Sequence, residues 1–276
     1  GFGIRFPTAN TTFIHNTVDA MDINKNIPTE HALIGDSKLT LAALVEAVSE
    51  RLGGKPRGRF EEVTTRIQSQ KDPWLQEWMP RLTSDEAPLQ SYRVIWDLLH
   101  TVDVTNTVIT HDAGSPRDEL SPFWETTVPL SYIGWGKSTQ LGYGLGLAMG
   151  AKMAHPNKLC INMWGDAAIG MTGMDFETAV RERIPILSIL MNNFSMAMEI
   201  PAMRLSDEKY DTTDISGNYA DFAKALGGYG ERVTSPAEIV PAIKRGIAAT
   251  QAGQPAMLEF ITTKEKIYST FRAGYH

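Results

Sequence analysis

The sequence predicts an α/β fold: a parallel sheet with helices on both faces, preceded by the end of a second α/β domain. Three observations point there. Past Pro88, short apolar runs alternate with segments of helical period. The runs at 107–110, 158–164, 186–191, 229–233 and 256–261 are largely apolar rather than strictly alternating, as in strands covered on both faces. Before Gly53 the same alternation begins and is not completed.

Taken in order, residues 12–15 and 32–35 read as short buried strands. Residues 37–52 read as an amphipathic helix with Leu39, Leu44, Val45, Val48 and Leu52 on one face, stopped by Gly53-Gly54-Lys55-Pro56. The stretch 53–88 is charged, carries Pro73, Pro80 and Pro88, and has weak helical periodicity around 60–67, so it reads as a linker with some helix. Beyond it the spacing predicts helix 89–101, strand 107–110, helix 141–154, strand 158–164 and helix 174–183. Strand 186–191, helix 219–226, strand 229–233, helix 236–250 and strand 256–261 complete the pattern. The expected domains are therefore 1–52, the end of an α/β domain, the linker 53–88, and 89–276, a complete one.

Composition narrows the function. A chain of 276 residues has room for one or two domains. The net charge of −6, with no basic stripe, argues against nucleic acid as the main partner. Cys160 is the only cysteine, which excludes an intramolecular disulfide framework and fits a reducing, cytoplasmic setting. No apolar run approaches the length of a membrane span. The amino end Gly1-Phe2-Gly3-Ile4-Arg5 has neither a signal-peptide layout nor an initiator Met, which suggests a start inside a longer protein.

The chemistry is concentrated at two strand ends. The strand 159–164 runs into Gly165-Asp166-Ala167-Ala168, and the next one ends in Asn192-Asn193-Phe194-Ser195. Asp166 and Asn193 lie 193 − 166 = 27 positions apart, close to the roughly 30 residues of one βαβ unit. Both then sit at carboxyl ends of parallel strands, where open α/β sheets bind ligands. A carboxylate and an amide oxygen without His or Cys suit magnesium or calcium, not zinc, and magnesium usually takes several of its oxygens from water and phosphate. The small residues Gly165, Ala167 and Ala168 would let backbone N–H groups approach a phosphate.

These residues resemble a known family. Gly165-Asp166-Ala167 followed by Asn192-Asn193 looks like the thiamine diphosphate motif, with Ala167 where Gly is usual. Leu141-Gly142-Tyr143-Gly144-Leu145 and the Ala/Gly-rich helix after it resemble the stretch before that motif in acetolactate synthases, benzoylformate decarboxylases and 2-hydroxyacyl-CoA lyases. Ile14-His15, Asp19, Ile23-Asn24-Lys25 and Gly35-Asp36-Ser37-Lys38 look like the close of their middle domain.

The resemblance implies thiamine diphosphate and Mg2+ as cofactors. Asp166 and Asn193 would be side-chain metal ligands, and Ser195 would give its carbonyl. Gly114, Ser115, Gly165, Ala167 and Ala168 would meet the diphosphate. Leu141 would wedge beneath the cofactor, with Thr139 and the Leu141 backbone at the pyrimidine edge. Glu199, 199 − 193 = 6 residues after Asn193, would face the substrate as an acid/base group. A solvated helix residue is the plainer account of Glu199, and a core leucine of Leu141. His111, at a strand end, is a weaker candidate for phosphate or substrate.

The implied activity is lyase, carboligase or decarboxylase chemistry on a 2-oxo acid or 2-hydroxyacyl-CoA, with acetolactate synthase-like activity as the alternative. The family's pyrimidine-binding domain has no trace here. It would come from the same longer chain or from a partner subunit, in a homodimer or homotetramer, and the isolated chain would not turn over. A diphosphate-binding subunit of a split enzyme and a non-catalytic nucleotide-binding module also compete. The first has no need of residues 11–52, and a G-x-G-x-x-G fingerprint directly after a strand is absent. Residues 194–216, of which only about the first ten have helical apolar content, and 264–276 are expected to be lids that order on binding, and Met191, Met196, Met198 and Met203 to contribute to an adaptable apolar patch.

Overall fold

A computed structural model describes residues 10–134 and 140–269. The chain divides into two compact units, Gly1–Pro73 and Trp74–His276. The division falls inside the segment 53–88.

The first unit pairs β1 (Ile14–Thr17) in parallel with β2 (His31–Ile34), followed by α1 (Ser37–Arg51). The Asn16 amide donates to the carbonyls of Leu33 (2.8 Å) and Gly35 (3.1 Å) and ties the strand ends together. Asp36 caps α1 by accepting from the Leu39 N–H. The two strands are not buried, contrary to the sequence expectation, and the apolar residues of α1 do not form the one expected face but are spread around the helix and bare, with Leu39 70% and Val45 69% exposed. Two strands and one helix cannot enclose a core.

α2 (Phe60–Leu82) crosses the division as one helix of 23 residues, where the sequence suggested only some helix. Its interior prolines, Pro73 and Pro80, hid it, since each removes a helical hydrogen bond at a cost of about 3 kcal/mol. In the second unit Trp78 and Leu82 are buried, and each such side chain contributes about 1.5–3 kcal/mol. Trp74 stacks on Phe123 (5.0 Å) and Trp78 meets Tyr92 edge-on (4.8 Å).

The second unit continues with α3 (Ser91–Thr101), β3 (Thr107–His111), α4 (Ser115–Leu120), β4 (Tyr132–Ile133), α5 (Tyr143–Ala154), β5 (Leu159–Gly165), α6 (Asp166–Thr172) and α7 (Asp175–Arg181). β6 (Leu187–Asn192), α8 (Ile200–Tyr210), α9 (Tyr219–Ala225), β7 (Tyr229–Val233), α10 (Ile239–Gln251) and β8 (Ala256–Ile261) follow. The six strands form one parallel sheet in the order β4-β3-β5-β6-β8-β7. Every residue of β3 and β6 is buried, including the polar Thr107, Thr110, His111, Ser188 and Asn192, as central strands covered on both faces require. Two apolar clusters cover the sheet. One holds Leu98, Ile161, Ile189 and Leu258; the other holds Leu145, Trp164, Phe176 and Leu190. The expected parallel sheet with helices around it is what the chain forms.

Two connections were expected to be lids that order on binding. Residues 194–216 contain α8, interrupted at Met203 (φ −108°, ψ 15°), rather than a mostly irregular stretch. The polar run there is helical and supports itself through Arg204 and Glu208 one turn apart. After β8, residues 264–269 lie down on the helices: the Tyr92 hydroxyl donates to the Ile267 carbonyl (2.7 Å), and Tyr268 and Ser115 share a hydrogen bond (3.0 Å). The part of the expected second lid from residue 270 onward lies outside the described residues. No helix among the described residues is long and apolar enough to cross a membrane.

Candidate functional site

The carboxyl ends of β3, β5, β6 and β8 open into one cleft with about 570 Å3 of empty space. Parallel pairing of β5 with β6 makes their ends neighbours, so the residues that follow each strand meet.

Asp166 is at the centre and is 3% exposed. Its Oδ2 accepts from the N–H groups of Asn193 (3.1 Å) and Ser195 (3.1 Å), and its Oδ1 from the Ala167 N–H (2.9 Å). Burial pushes the carboxyl up to about 6, against the opposing pull of these N–H donors. Asn193 Oδ1 accepts from Ser195 N (3.0 Å), which turns the chain back on itself, and Phe194 between them has a left-handed φ of 57°. The structure thus joins Asp166, Asn193 and Ser195 in one knot of hydrogen bonds across the two strand ends.

That knot is held from behind. Asn192 accepts from Phe194 N (3.0 Å) and donates to Glu259 (2.7 Å), a fully buried carboxylate on β8. Glu259 also takes two hydrogen bonds from Arg232, at 2.9 and 3.0 Å, and one from Ala220 N at 3.0 Å. A buried carboxylate needs such pairing. Composition-level reading of the strands gave no sign of this support, because Glu259 stands inside an apolar run.

The other side of the cleft comes from the loop after β3. Gly114 has φ +81°, a backbone conformation that L side chains rarely adopt, and it opens α4 together with Ser115. Both line the cleft. Asp112, fully buried, was not singled out by sequence. It accepts from the N–H groups of Gly142 (2.6 Å), Tyr143 (3.1 Å) and Gly144 (3.3 Å) and so holds the start of α5. Burial pushes it up to about 6. A Cβ on Gly144 would stand 2.5 Å from Asn162 Oδ1, so only glycine permits this close seat. The signal that could have found Asp112 is its place directly after a strand, opposite a Gly-rich helix start.

Of the remaining expected residues, Leu141 is half-buried and borders the cleft, as do Gly165, Ala167 and Ala168. The Ala167 N–H donates to Asp166 and is therefore not an open donor to a phosphate. Glu199 borders the cleft but is exposed, not set in a dry pocket. Met191 lies in the core at 4% exposure, while Met196, Met198 and Met203 are half-buried. His111 does not line the cleft; it is buried against Tyr132 with its Nδ1 3.2 Å from the Asp112 carbonyl, and burial lowers its pKa. Thr139 lies outside the described residues.

The donor set suits a hard cation and a phosphate-bearing ligand. Asp166 carries a buried carboxylate with no cationic partner among the described residues, and Asn193 and the chain carbonyls add neutral oxygens. No cluster of three or more His, Cys, Asp or Glu residues occurs among the described residues.

Comparison with known proteins gives the same direction. The family described as thiamine pyrophosphate enzyme, C-terminal TPP binding domain, matches residues 112–260. A probable acetolactate synthase large subunit of Methanococcus aeolicus is 25% identical over 260 residues, covering 91% of this chain and 43% of that protein. The acetolactate synthase large subunit IlvG of Mycobacterium tuberculosis is 28% identical over 270 residues, covering 97% and 47%. The putative thiamine pyrophosphate-containing protein YdaP of Bacillus subtilis is 25% identical over 261 residues, covering 93% and 43%. The chain spans less than half the length of these relatives. With more than half of its residues matched, the chain belongs to the thiamine pyrophosphate enzyme family and carries its C-terminal cofactor-binding domain.

Proposed function

We propose that this chain binds thiamine diphosphate through Mg2+ in the cleft and forms part of an enzyme that makes or breaks a carbon–carbon bond next to the carbonyl of a 2-oxo acid or 2-hydroxyacyl-CoA. The observation that carries the reading is the junction of Asp166 with the Asn193–Ser195 turn across adjacent strand ends. Asp166 and Asn193 would ligate the metal through side-chain oxygens and Ser195 through its carbonyl, and Gly114 and Ser115 would approach the diphosphate. Leu141, at the mouth beside Gly142, would press on the cofactor from below, with Thr139 completing the pyrimidine edge. Bound thiamine diphosphate supplies a nucleophilic carbon and an electron sink. The protein excludes water with Met196, Met198 and Leu141 and moves protons near the reacting carbonyl through Glu199.

The names of the relatives favour acetolactate synthase-type carboligation as a second reading, and a split enzyme whose other half is a separate subunit is the third. In each, a pyrimidine-binding domain and a homodimer or homotetramer complete the site, and the 276-residue chain alone binds cofactor without turnover. Titration calorimetry of the chain with thiamine diphosphate, with and without Mg2+, tests the reading. We expect magnesium-dependent binding that Asp166→Ala weakens by at least about tenfold, or ~1.4 kcal/mol. Equal binding by the variant, or binding indifferent to Mg2+, overturns it.

A further inference from the structure

The turn after β6 is aimed from outside the cleft. α8 ends at Asp211, which takes a left-handed conformation (φ 51°) and donates its N–H to the Asp207 carbonyl (2.9 Å), so the chain reverses there and runs back beside the turn. Residues 194–196 and 213–215 then pair as a short antiparallel ribbon centred on Ser195 and Asp214. Met196 N donates to the Thr213 carbonyl (2.8 Å), and Ile215 N to the Phe194 carbonyl (3.0 Å). These bonds flank Ser195 and Asp214, which makes the two a non-hydrogen-bonded pair, with the N–H and C=O of each directed away from the other strand. The Ser195 N–H accordingly turns to Asp166 Oδ2 (3.1 Å) and Asn193 Oδ1 (3.0 Å), and its carbonyl shares that edge.

The last turn of α8 clasps this ribbon. Thr213, 1% exposed, donates to Asp207 Oδ1 twice, through its N–H (2.9 Å) and through its hydroxyl. These donors hold the Asp207 carboxyl below the usual carboxylate range, so it is an ionised acceptor at neutral pH. Ser206 and Thr212 share a further hydrogen bond (3.0 Å) across the same corner. Asp207 and Thr213 stand outside the lining of the cleft, whereas Ser195 borders it.

We propose that Asp207 and Thr213 are positioning residues for the metal: their clasp keeps the ribbon in register, and the ribbon turns the Ser195 carbonyl to the side of Asp166. This rests on the reading of Asp166, Asn193 and Ser195 as a Mg2+ site and adds to it what aims the third protein oxygen. Partners that orient a metal ligand from behind are commonly worth about 10–100-fold in affinity. The choice of ion exposes the aim. Mg2+ demands near-octahedral oxygens at about 2.0–2.1 Å, whereas Ca2+ accepts six to eight in flexible geometry at about 2.3–2.6 Å. A carbonyl that has lost its direction therefore penalises Mg2+ more than Ca2+.

Calorimetry on the full chain tests this by following thiamine diphosphate binding with Mg2+ and, separately, with Ca2+. Asp207→Ala should weaken the Mg2+-supported affinity about tenfold and the Ca2+-supported affinity no more than about threefold, so that the ratio of the two falls. Asp207→Asn should restore most of that ratio, because both Thr213 donors end on one oxygen, which the amide keeps. Arg204→Ala, which breaks the exposed pair with Glu208 on α8, should leave the ratio as in the wild type. A general loosening of α8 would instead weaken binding with both ions in proportion. An unchanged ratio in Asp207→Ala, a ratio that Asp207→Asn does not raise again, or an equal fall in Arg204→Ala overturns the proposal. If Asp207→Ala fails to fold, Thr213→Val, which replaces only the hydroxyl, decides: its ratio should fall in the same direction, and an unchanged ratio overturns the proposal. Wild-type binding that is absent with both ions, or that is the same without metal, overturns the metal-site reading and this inference with it.

Discussion

Residues 10–73 and residues 74–269 are built from the same parts, parallel strands followed by helices, yet only the second set has an interior. In the first unit α1 carries apolar residues spread around its circumference, and Leu39, Val45 and Val48 among them stand in solvent. In the second, α10 is far more amphipathic and buries Ile239, Ala242 and Ile243 against the sheet. The difference is in layers. A helix stripe is buried only where enough strands lie side by side to cover it, and two strands do not suffice.

Native-state hydrogen exchange should separate the two units most widely. Amides of β3, β5, β6 and β8 should exchange at least about a thousandfold more slowly than those of β1 and β2, a gap of ~4 kcal/mol in opening free energy. Equal protection would mean that the strand pair is stabilised as strongly as the sheet. Next in size, Glu259→Ala should lower stability by about 3–5 kcal/mol, because it leaves Arg232 and Asn192 without their buried partner. Asn16→Ala, which removes the strand tie of the first unit, should cost only about 1 kcal/mol. Chemical denaturation with probes in each unit would measure both.

Asp112→Asn should set the second unit apart through its pH dependence. One amide oxygen cannot accept all three N–H groups at the start of α5, so a loss of about 1–3 kcal/mol is expected. The folded-state pKa, about 6, is above the unfolded value near ~3.9. The folded state therefore binds the proton more tightly, and that share of stability is full below about pH 4 and lost as pH rises through about 6. Melting of Asp112→Asn should fall less steeply over that window, though not become flat, since Asp166 and Glu119 are raised as well. A steeper fall would reverse the sign of the argument. The smallest effect belongs to the first unit: Val45→Ser and Val48→Ser should change stability by no more than about 0.5 kcal/mol, because neither side chain is buried.

Much of the second unit was legible because β5, β6 and β8 are apolar runs bounded by turns, and β3 and β7 fall at the intervals between helices where the alternation puts them. The two-residue β4 was not, because a strand that short has no periodicity to read. α2 was obscured by Pro73 and Pro80, and α8 by charged residues that a helix on the surface tolerates. At the site, the spacing from Asp166 to Asn193 could be read because it reflects the length of one crossover unit. Asp112 and Glu259 could not. Each is an acidic residue whose importance comes from what folds over it, and nothing in its neighbours along the chain distinguishes it from a solvated one.

The knot around Asp166 has a kinetic meaning. Three backbone N–H groups already fix the carboxylate, and Asn192, anchored on Glu259, already fixes the turn that follows it. On the proposed reading, an arriving ion finds its oxygens in place and does not wait for a loop to fold. The slow event at such a site is the shedding of water by Mg2+, an ion that dehydrates reluctantly. Loading would then run at a rate set by the metal, and would change when a faster-exchanging ion such as Mn2+ replaced it far more than when the loop sequence was altered.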